Sequence, residues 1–271
     1  MWVWMMMAVG CGPAADAPTT AVAPVAPTEL RELTVGTWNV EWLDSQVGAG
    51  RQPRNERDYA ELARIVASAD ADVWAFQEVA DAAAVERIVP DGWTVRVEER
   101  RAEQRVAFAI RPGLPARFSE NTDIGLGRSG LRNGLVASVA GVDMMTIHLK
   151  AGCQWDPFER SDDCRTVGEQ LERVDHWLDA AAGPAMVIGD YNRQLSADDE
   201  SWAVLNDGDP GPVTAPLLGA RNQCHGSRAR HPIDHAVVRG LPASAVQAEQ
   251  LSDAASSDHC PVVVTLTLPS D

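Results

Sequence analysis

The chain has 271 residues, 45% of them hydrophobic, which suits one large α/β domain whose core needs no metal or staple for bulk stability. Lys and Arg total 23 against 39 Asp and Glu, giving a net charge of -16 and a pI near 4.7. That balance excludes a protein that coats nucleic acid, which carries a basic footprint, but it leaves room for an enzyme that grips phosphate locally.

Residues 1–11 read as a targeting segment. MWVWMMMAVG is apolar and ends on a small residue before Cys11, as in a bacterial lipoprotein signal whose Cys is lipidated. A plain signal peptide or an uncleaved anchor is the competing reading, although ten apolar residues fall short of the roughly 20 that cross a bilayer. Residues 12–29 are a Pro/Ala/Thr tether, expected to be extended. The folded domain is assigned to residues 30–271. The expected location is outside the cytoplasm: a bacterial lipoprotein, periplasmic or on the cell surface, or a secreted protein.

Within the domain, Leu33 to Val40 alternates as a strand. Glu56 to Ala69 forms a helix with Tyr59, Leu62, Ala63 and Val66 on one stripe and Asn55 as N-cap. Asp72 to Phe76 completes a β–α–β start. Trp93 to Val97, Arg105 to Ile110, Gly134 to Val139 and Met144 to Leu149 read as strands separated by Gly and Pro turns. A helix from Thr166 to Ala181 carries Val167, Leu171, Val174 and Leu178 at helical spacing. Strands follow at Ala185 to Ile188, Ile233 to Val238 and Val262 to Leu268.

Two segments are locally basic. Trp93 to Asn133 holds eight Arg against five acids, and Gly219 to Gly240 holds four Arg against Asp234 alone. Each is either a solvated surface or a substrate-facing loop. Cys153, Cys164, Cys224 and Cys260 form an even set, for which disulfides are the default in an exported chain. Three pairings are open; Cys153–Cys164, closing a short polar loop after a strand, is favoured, and with it Cys224–Cys260. A zinc site competes poorly, because no pair has Cys-x-x-Cys spacing.

Polar residues stand at the ends of apolar runs along most of the domain. They are Asn39 and Glu41 in TWNVEW, Glu78 in FQEV, His148 in TIHLK, Asp190 and Asn192 in VIGDYN, Asp234 in PIDH, and Asp258 with His259 in SDHCPV. Carboxylates and amides suit a hard divalent cation, and imidazoles beside a metal and a phosphate can move protons. A spacing of two places Asn39 with Glu41, Asp190 with Asn192, and His148 with Lys150 on shared strand faces. Each group alone is an ordinary turn; their joint occurrence points to a convergent site. His235 is expected to face away from Asp234 and to be structural, His176 to be at the surface or in packing, and His225 and His231, in the Gly/Arg-rich loop, to be solvated, with contact to substrate the competing reading. Most of the nine Trp are expected in the core, with Trp155 a candidate for the cleft.

These motifs, in this order and spanning Leu33 to Leu268, resemble the endonuclease/exonuclease/phosphatase superfamily of the deoxyribonuclease I-like type. The resemblance implies a four-layer α/β sandwich, two mostly antiparallel mixed sheets packed face to face with helices outside, and a site at one sheet edge. It also implies Glu78 as the main Mg²⁺ ligand beside Asn39 and Asp258, with Glu41 where some members hold a second metal. Asp190 and Asn192 match the pair that positions the attacking water, and His259 the phosphate-contacting His oriented by Asp234. His148 matches the second His of the deoxyribonuclease-like branch, where repair-type members place Tyr.

The function expected is divalent-metal-dependent phosphodiester hydrolysis, with Mg²⁺ or its substitute Mn²⁺, by a monomeric enzyme acting on nucleic acid. A cation offsets the charge that builds on the phosphoryl group, and a held water attacks in line. A sphingomyelinase-like or other small-molecule phosphodiesterase or phosphatase is the alternative, and a non-catalytic binding module the third. Membrane contact is expected only through the N-terminal lipid.

Overall fold

A computed structural model of the chain describes residues 1, 30–225, 227 and 229–269; the targeting segment, Cys11 and the tether lie outside the described residues. In chain order the elements are β1 (Leu30–Leu43), α1 (Glu56–Ser68), β2 (Val73–Val79), α2 (Ala82–Glu86), β3 (Thr94–Val97), β4 (Arg105–Ile110) and β5 (Ala116–Asn121). There follow β6 (Gly134–Val139), β7 (Val142–His148), α3 (Asp162–Asp179), β8 (Ala185–Asp190), α4 (Glu200–Leu205), β9 (Asp234–Arg239), β10 (Val246–Gln250) and β11 (Val262–Pro269). Among the described residues no helix is long and apolar enough to cross a membrane.

The strands make two sheets, one ordered β10-β11-β1-β2-β4-β3 and the other β5-β6-β7-β8-β9. Each contains one parallel pair, β1 with β2 and β7 with β8; every other pairing is antiparallel. A parallel pair needs a crossover, and α1 and α3 supply it as β–α–β units. The same plan is therefore used twice.

Three apolar layers hold the sheets and helices together. Val35, Val73, Ala75, Phe108, Leu135, Ala137, Met186 and Val264 fill the space between the sheets. Trp38, Leu62, Ile65, Trp74 and Phe76 pack α1 and α2 onto the outside of the larger sheet. Val167, Leu171, Val174, Leu178 and Val187 do the same for α3 and α4 on the smaller one. The result is the four-layer sandwich that the sequence implied.

Local signals explain the helix starts. Asn55 caps α1, its side chain accepting from the Arg57 and Asp58 N–H groups while Asp58 reaches back to Asn55 N, a capping box that satisfies otherwise orphaned donors. Ser161 caps α3 through the Cys164 N–H at 3.1 Å. This helix starts four residues before the expected Thr166, since the first turn Asp162–Arg165 shows a single buried position, Cys164, and no apolar repeat to mark it. The segments β5, β10, α2 and α4 were not expected. β5 and β10 are edge strands whose sequences, ARFSEN and VQAEQ, lack a continuous apolar run, and the two helices are six residues or shorter.

Candidate active site

The topology gathers the motif residues. Glu78, His148 and Asp190 lie at the carboxy ends of β2, β7 and β8, with Asn39 near that end of β1. β9 runs antiparallel to β8, so Asp234 at its start sits opposite Asp190. β11 runs antiparallel to β1, so the loop that enters it brings Asp258 and His259 to the same edge. Glu78, His148, Asp190, Asn192, Asp234, Asp258 and His259 line one cavity of about 440 Å³.

Backbone geometry, more than strand alternation, aims these groups. Glu41, Trp42, Glu78 and Asn192 have φ of 48°, 56°, 62° and 50°, half of the eight non-glycine residues with positive φ among those described. Such conformations cost roughly 1–3 kcal/mol each and persist where surrounding contacts enforce them. The pairing register shifts between Asn39 and Leu43 and between Gln77 and Val79, so that Glu78, which alternation alone would set on the face opposite Gln77, meets Asn39. Gly189 carries φ 145°, and a Cβ there would lie 2.2 Å from the Ile147 carbonyl oxygen; only glycine allows β8 to lie this close to β7 just before Asp190.

The expected sharing of faces at a spacing of two therefore fails. Asn192 reaches Asp190 through a turn, its backbone N–H donating to Asp190 Oδ1 at 2.7 Å and its Nδ2 to Oδ2 at 3.2 Å. Lys150 does not join His148. The backbone leaves the strand after His148, and the ammonium instead pairs with Asp163 of α3 at 2.9 Å and donates to the Ala151 carbonyl.

Around the cavity the contacts form two groups. Asn39, 1% exposed, lies beneath the floor and donates from Nδ2 to Glu78 Oε1 at 3.2 Å and to Asp190 Oδ2 at 3.0 Å. Its Oδ1 accepts from the Glu41 N–H. Glu41 interacts with the Asp258 N–H, and burial followed by the Asp258 carboxylate raises its pKa. Glu78, Glu41, Asp258 and Asn39 offer hard oxygen atoms on this side of the site, with Glu78 held by the Asn39 Nδ2 and Trp42 N–H donors. The donor set fits a divalent ion such as Mg²⁺.

The second group brings two imidazoles to Asp190 and Asp234. His259 Nδ1 lies 2.8 Å from Asp234 Oδ2, and its Nε2 lies 3.8 Å from both Asp190 Oδ2 and Asp258 Oδ1. Burial opposes charge on this imidazole, but Asp234, Asp190 and Asp258 outweigh it and lift its pKa well above the usual range. His148 Nε2 stands 3.3 Å from Asp190 Oδ2 and 3.8 Å from Glu78 Oε1. Burial, with Arg132 and His259 nearby, nevertheless drives the His148 pKa well below that range. Burial and the Asp234 charge raise Asp190 to about 6, against the pull of His259 and the hydrogen bonds from Asn39 and Asn192.

Ligand atoms of Asp190, Asp234 and His259 lie within 4.8 Å of one another. The His259–Asp234 contact uses Nδ1 and Oδ2, and Asp234 Oδ1 is buried without a partner, so these three form a candidate cation site beside the oxygen donors around Glu78.

Three buried arginines brace the site and were not singled out from sequence. Arg54, 2% exposed, donates to the carbonyls of Val40, Glu41 and Ser256 at 2.8, 2.8 and 3.0 Å and to Ser256 Oγ at 2.8 Å, which ties the bulge of β1 to the loop bearing Asp258. Arg132 donates to the carbonyls of His148 and Leu149 at 3.0 and 2.6 Å. Arg193 grips Asp199 with two contacts, 3.0 and 2.7 Å. The signal available was position alone: Arg54 precedes a helix cap, and Arg193 directly follows VIGDYN. His235 is fully buried, with Nε2 3.1 Å from the Arg193 carbonyl oxygen and its ring edge-on to Tyr191, and burial lowers its pKa to about 4. It is structural, as expected.

The basic segments part company. Between Trp93 and Asn133, Arg96 and Arg100 pair with Glu99 and Glu98 within the segment, Arg111 and Arg128 pair with Asp70 and Glu169 outside it, and Arg132 is buried against the His148 and Leu149 carbonyls. From the second segment Asn222, Cys224, Ser227 and Ala229 wall the cavity. The structure also contains the disulfides Cys153–Cys164 and Cys224–Cys260, which tie the loop after β7 to α3 and the second basic loop to the entrance of β11.

The chain matches the family model "Endonuclease/Exonuclease/phosphatase family" over residues 36–259. No curated protein sequence matches it. Among solved structures it resembles truncated TDP2 of Caenorhabditis elegans, at 18% identity and a TM-score of 0.62, over 88% of this chain and 98% of that one. The D. rerio TDP2 structure, complexed with single strand DNA product, matches at 18% identity and a TM-score of 0.61, over 86% and 98%. An AP endonuclease from Archaeoglobus fulgidus matches at 16% identity and 0.57, over 86% and 99%. At such identities these likenesses speak for the fold, and the family match over most of the chain speaks for descent. The chain belongs to the endonuclease/exonuclease/phosphatase family.

Proposed function

We propose that this protein is an exported phosphodiester hydrolase that depends on a divalent metal and cleaves nucleic acid. The observation that carries the reading is the convergence, in one cavity, of Glu78, Asp190, Asn192, Asp234 and Asp258 with two imidazoles that both approach Asp190 Oδ2. Glu78, with Asn39, Asp258 and Glu41, would hold the ion, whose charge offsets that building on the phosphoryl oxygens. Mg²⁺ is the expected metal and Mn²⁺ its substitute.

The chain's own groups divide the remaining work. Asp190 and Asn192 hold the attacking water in line, with the Asp190 carboxylate taking its proton. His259, oriented at Nδ1 by Asp234, presents Nε2 to the phosphoryl oxygens. The P–O bond to the leaving oxygen breaks as that oxygen takes a proton from the His259 imidazolium, which its carboxylate neighbours keep charged. His148, whose carbonyl accepts from Arg132, lines the cavity beside Glu78. Nucleic acid is favoured as substrate by the family and by the likeness to structures described as TDP2 and an AP endonuclease. Export, with lipidation at Cys11, is supported by the apolar N-terminal segment and the two disulfides.

The test is a substrate panel of plasmid, single-stranded RNA and DNA, sphingomyelin and a bis-aryl phosphodiester, each with and without EDTA. EDTA-sensitive cleavage of a nucleic acid is expected. Turnover of sphingomyelin or the aryl diester alone would replace this reading with the small-molecule or lipid alternative.

A further inference from the structure

Trp155 is 65% exposed, whereas Trp38 and Trp74 are fully buried. An exposed indole leaves in water apolar surface that burial would stabilise. The segment carrying it is nonetheless firmly held. The Cys153–Cys164 bond anchors one side. The Arg193 guanidinium, its side chain 1% exposed, donates to the carbonyls of Cys153 at 3.3 Å and Asp156 at 2.6 Å, clamping the chain before and after the Trp. Gln194 N donates to the Gln154 carbonyl at 2.8 Å. Residues 153–156 are thus a braced platform that presents one aromatic face.

That face borders a second cavity, of about 550 Å³, lined also by Gln194, Asp198, Ala229, Arg230 and His231. Ala229 lines the catalytic cavity as well, and so does Gln154, so the two spaces adjoin. Among the described residues Arg230 makes no ion pair, in a chain whose net charge is -16.

We propose that Trp155 and this cavity form a subsite that stacks one unpaired nucleobase next to the scissile phosphate; the proposal rests on the nucleic-acid reading above. A pre-formed aromatic platform suits a planar ring, and base stacking tolerates every base because each has a π-face. An acyl chain would call for an apolar lining, whereas the Trp is the one large apolar side chain among polar neighbours. A base inside a duplex has its faces already stacked, and the acidic surface gives a duplex no basic track to follow. A single-stranded segment is therefore the occupant.

The test measures binding of two labelled hexanucleotides, one with bases throughout and one abasic at the central positions, by anisotropy in EDTA, to wild type, Trp155→Ala and Trp155→Phe. Vesicles of phosphatidylcholine and sphingomyelin form a third arm. Wild type should bind the base-bearing strand about tenfold more tightly than the abasic one, the Ala variant should lose that preference at unchanged melting temperature, and the Phe variant should keep most of it. Equal binding of the base-bearing strand by wild type and the Ala variant overturns the proposal, as does a Trp155 effect confined to vesicles. Cleavage is measured separately: a Trp155-dependent base preference without metal-dependent cleavage leaves the subsite standing and sinks the catalytic reading, and the reverse pattern does the opposite.

Discussion

The two β–α–β units of this fold use one plan for different chemistry. The unit built from β1, α1 and β2 delivers Asn39, Glu41 and Glu78, an oxygen-rich set on a bulged backbone secured by Arg54. The unit built from β7, α3 and β8 delivers His148 and Asp190, with Asn192 just beyond, secured by Arg132, Arg193 and a disulfide. In the first unit one guanidinium spans the bulge of β1 and the loop bearing Asp258, whereas in the second the loop after β7 is closed by Cys153–Cys164 and Arg193. What the contrast teaches is that the sandwich fixes only where strand ends meet; buried cations and a crosslink set the final aim.

If the units divide the work between cation and proton chemistry, their variants should separate. The largest effect is expected in the second unit and its relay. Asp190→Asn or His259→Gln should lower kcat by about 10²–10⁴-fold while leaving metal affinity by calorimetry within a few-fold of wild type, because an acid or base is lost and the oxygen donors are kept. In the first unit Glu78→Gln should show the opposite signature, a loss of metal affinity with activity partly restored at high Mg²⁺. Similar loss of metal affinity in both sets would erase the distinction.

The braces come next. Arg54→Ala removes donors from four carbonyls and one hydroxyl, and thermal unfolding should show a loss of about 3 kcal/mol, since a buried acceptor left unsatisfied costs roughly 1–3. Cys153→Ser with Cys164→Ser opens a loop with a separation of 11 residues, and the chain-entropy relation puts the loss at up to about 3 kcal/mol. Its effect on turnover should exceed that of opening Cys224–Cys260 only if the loop after β7 sets the aim of the second unit.

The smallest effect is on the pH dependence of stability. Burial pushes Glu98 to about 7, against the opposing pull of Arg100. Between about 4.5 and about 7 the folded protein holds a proton that the unfolded chain has released, so this group makes stability fall as pH rises through that window. Glu98→Gln should flatten the melting temperature over that range relative to wild type. Asp190 and Asp175, each raised to about 6, slope the same way and remain in both proteins, so the difference isolates Glu98.

Much of this was legible in the chain. Apolar periodicity gave the central strands, α1 and most of α3, because those segments are buried on at least one face and their patterns are enforced by packing. The edge strands β5 and β10 were invisible, since a strand with one neighbour and a wet face needs no apolar run. The site residues were legible as polar punctuation at strand ends. Their directions were not: the rule of alternation assumes negative φ throughout, and Glu41, Glu78 and Asn192 break it. Lys150 shows the same limit, having left the strand before its side chain could share the face of His148. The bracing arginines were hidden because their partners are backbone carbonyls, which leave no mark in sequence.

The central claim is that the strand-end groups act as one metal-dependent hydrolytic site. Cleavage of a single-stranded oligonucleotide with Mg²⁺, by wild type and by Asp190→Asn matched for folding, tests it most directly. The account predicts cleavage that EDTA abolishes and that the variant performs at least about 100-fold more slowly. Equal rates for the two proteins, or cleavage indifferent to EDTA, would contradict it.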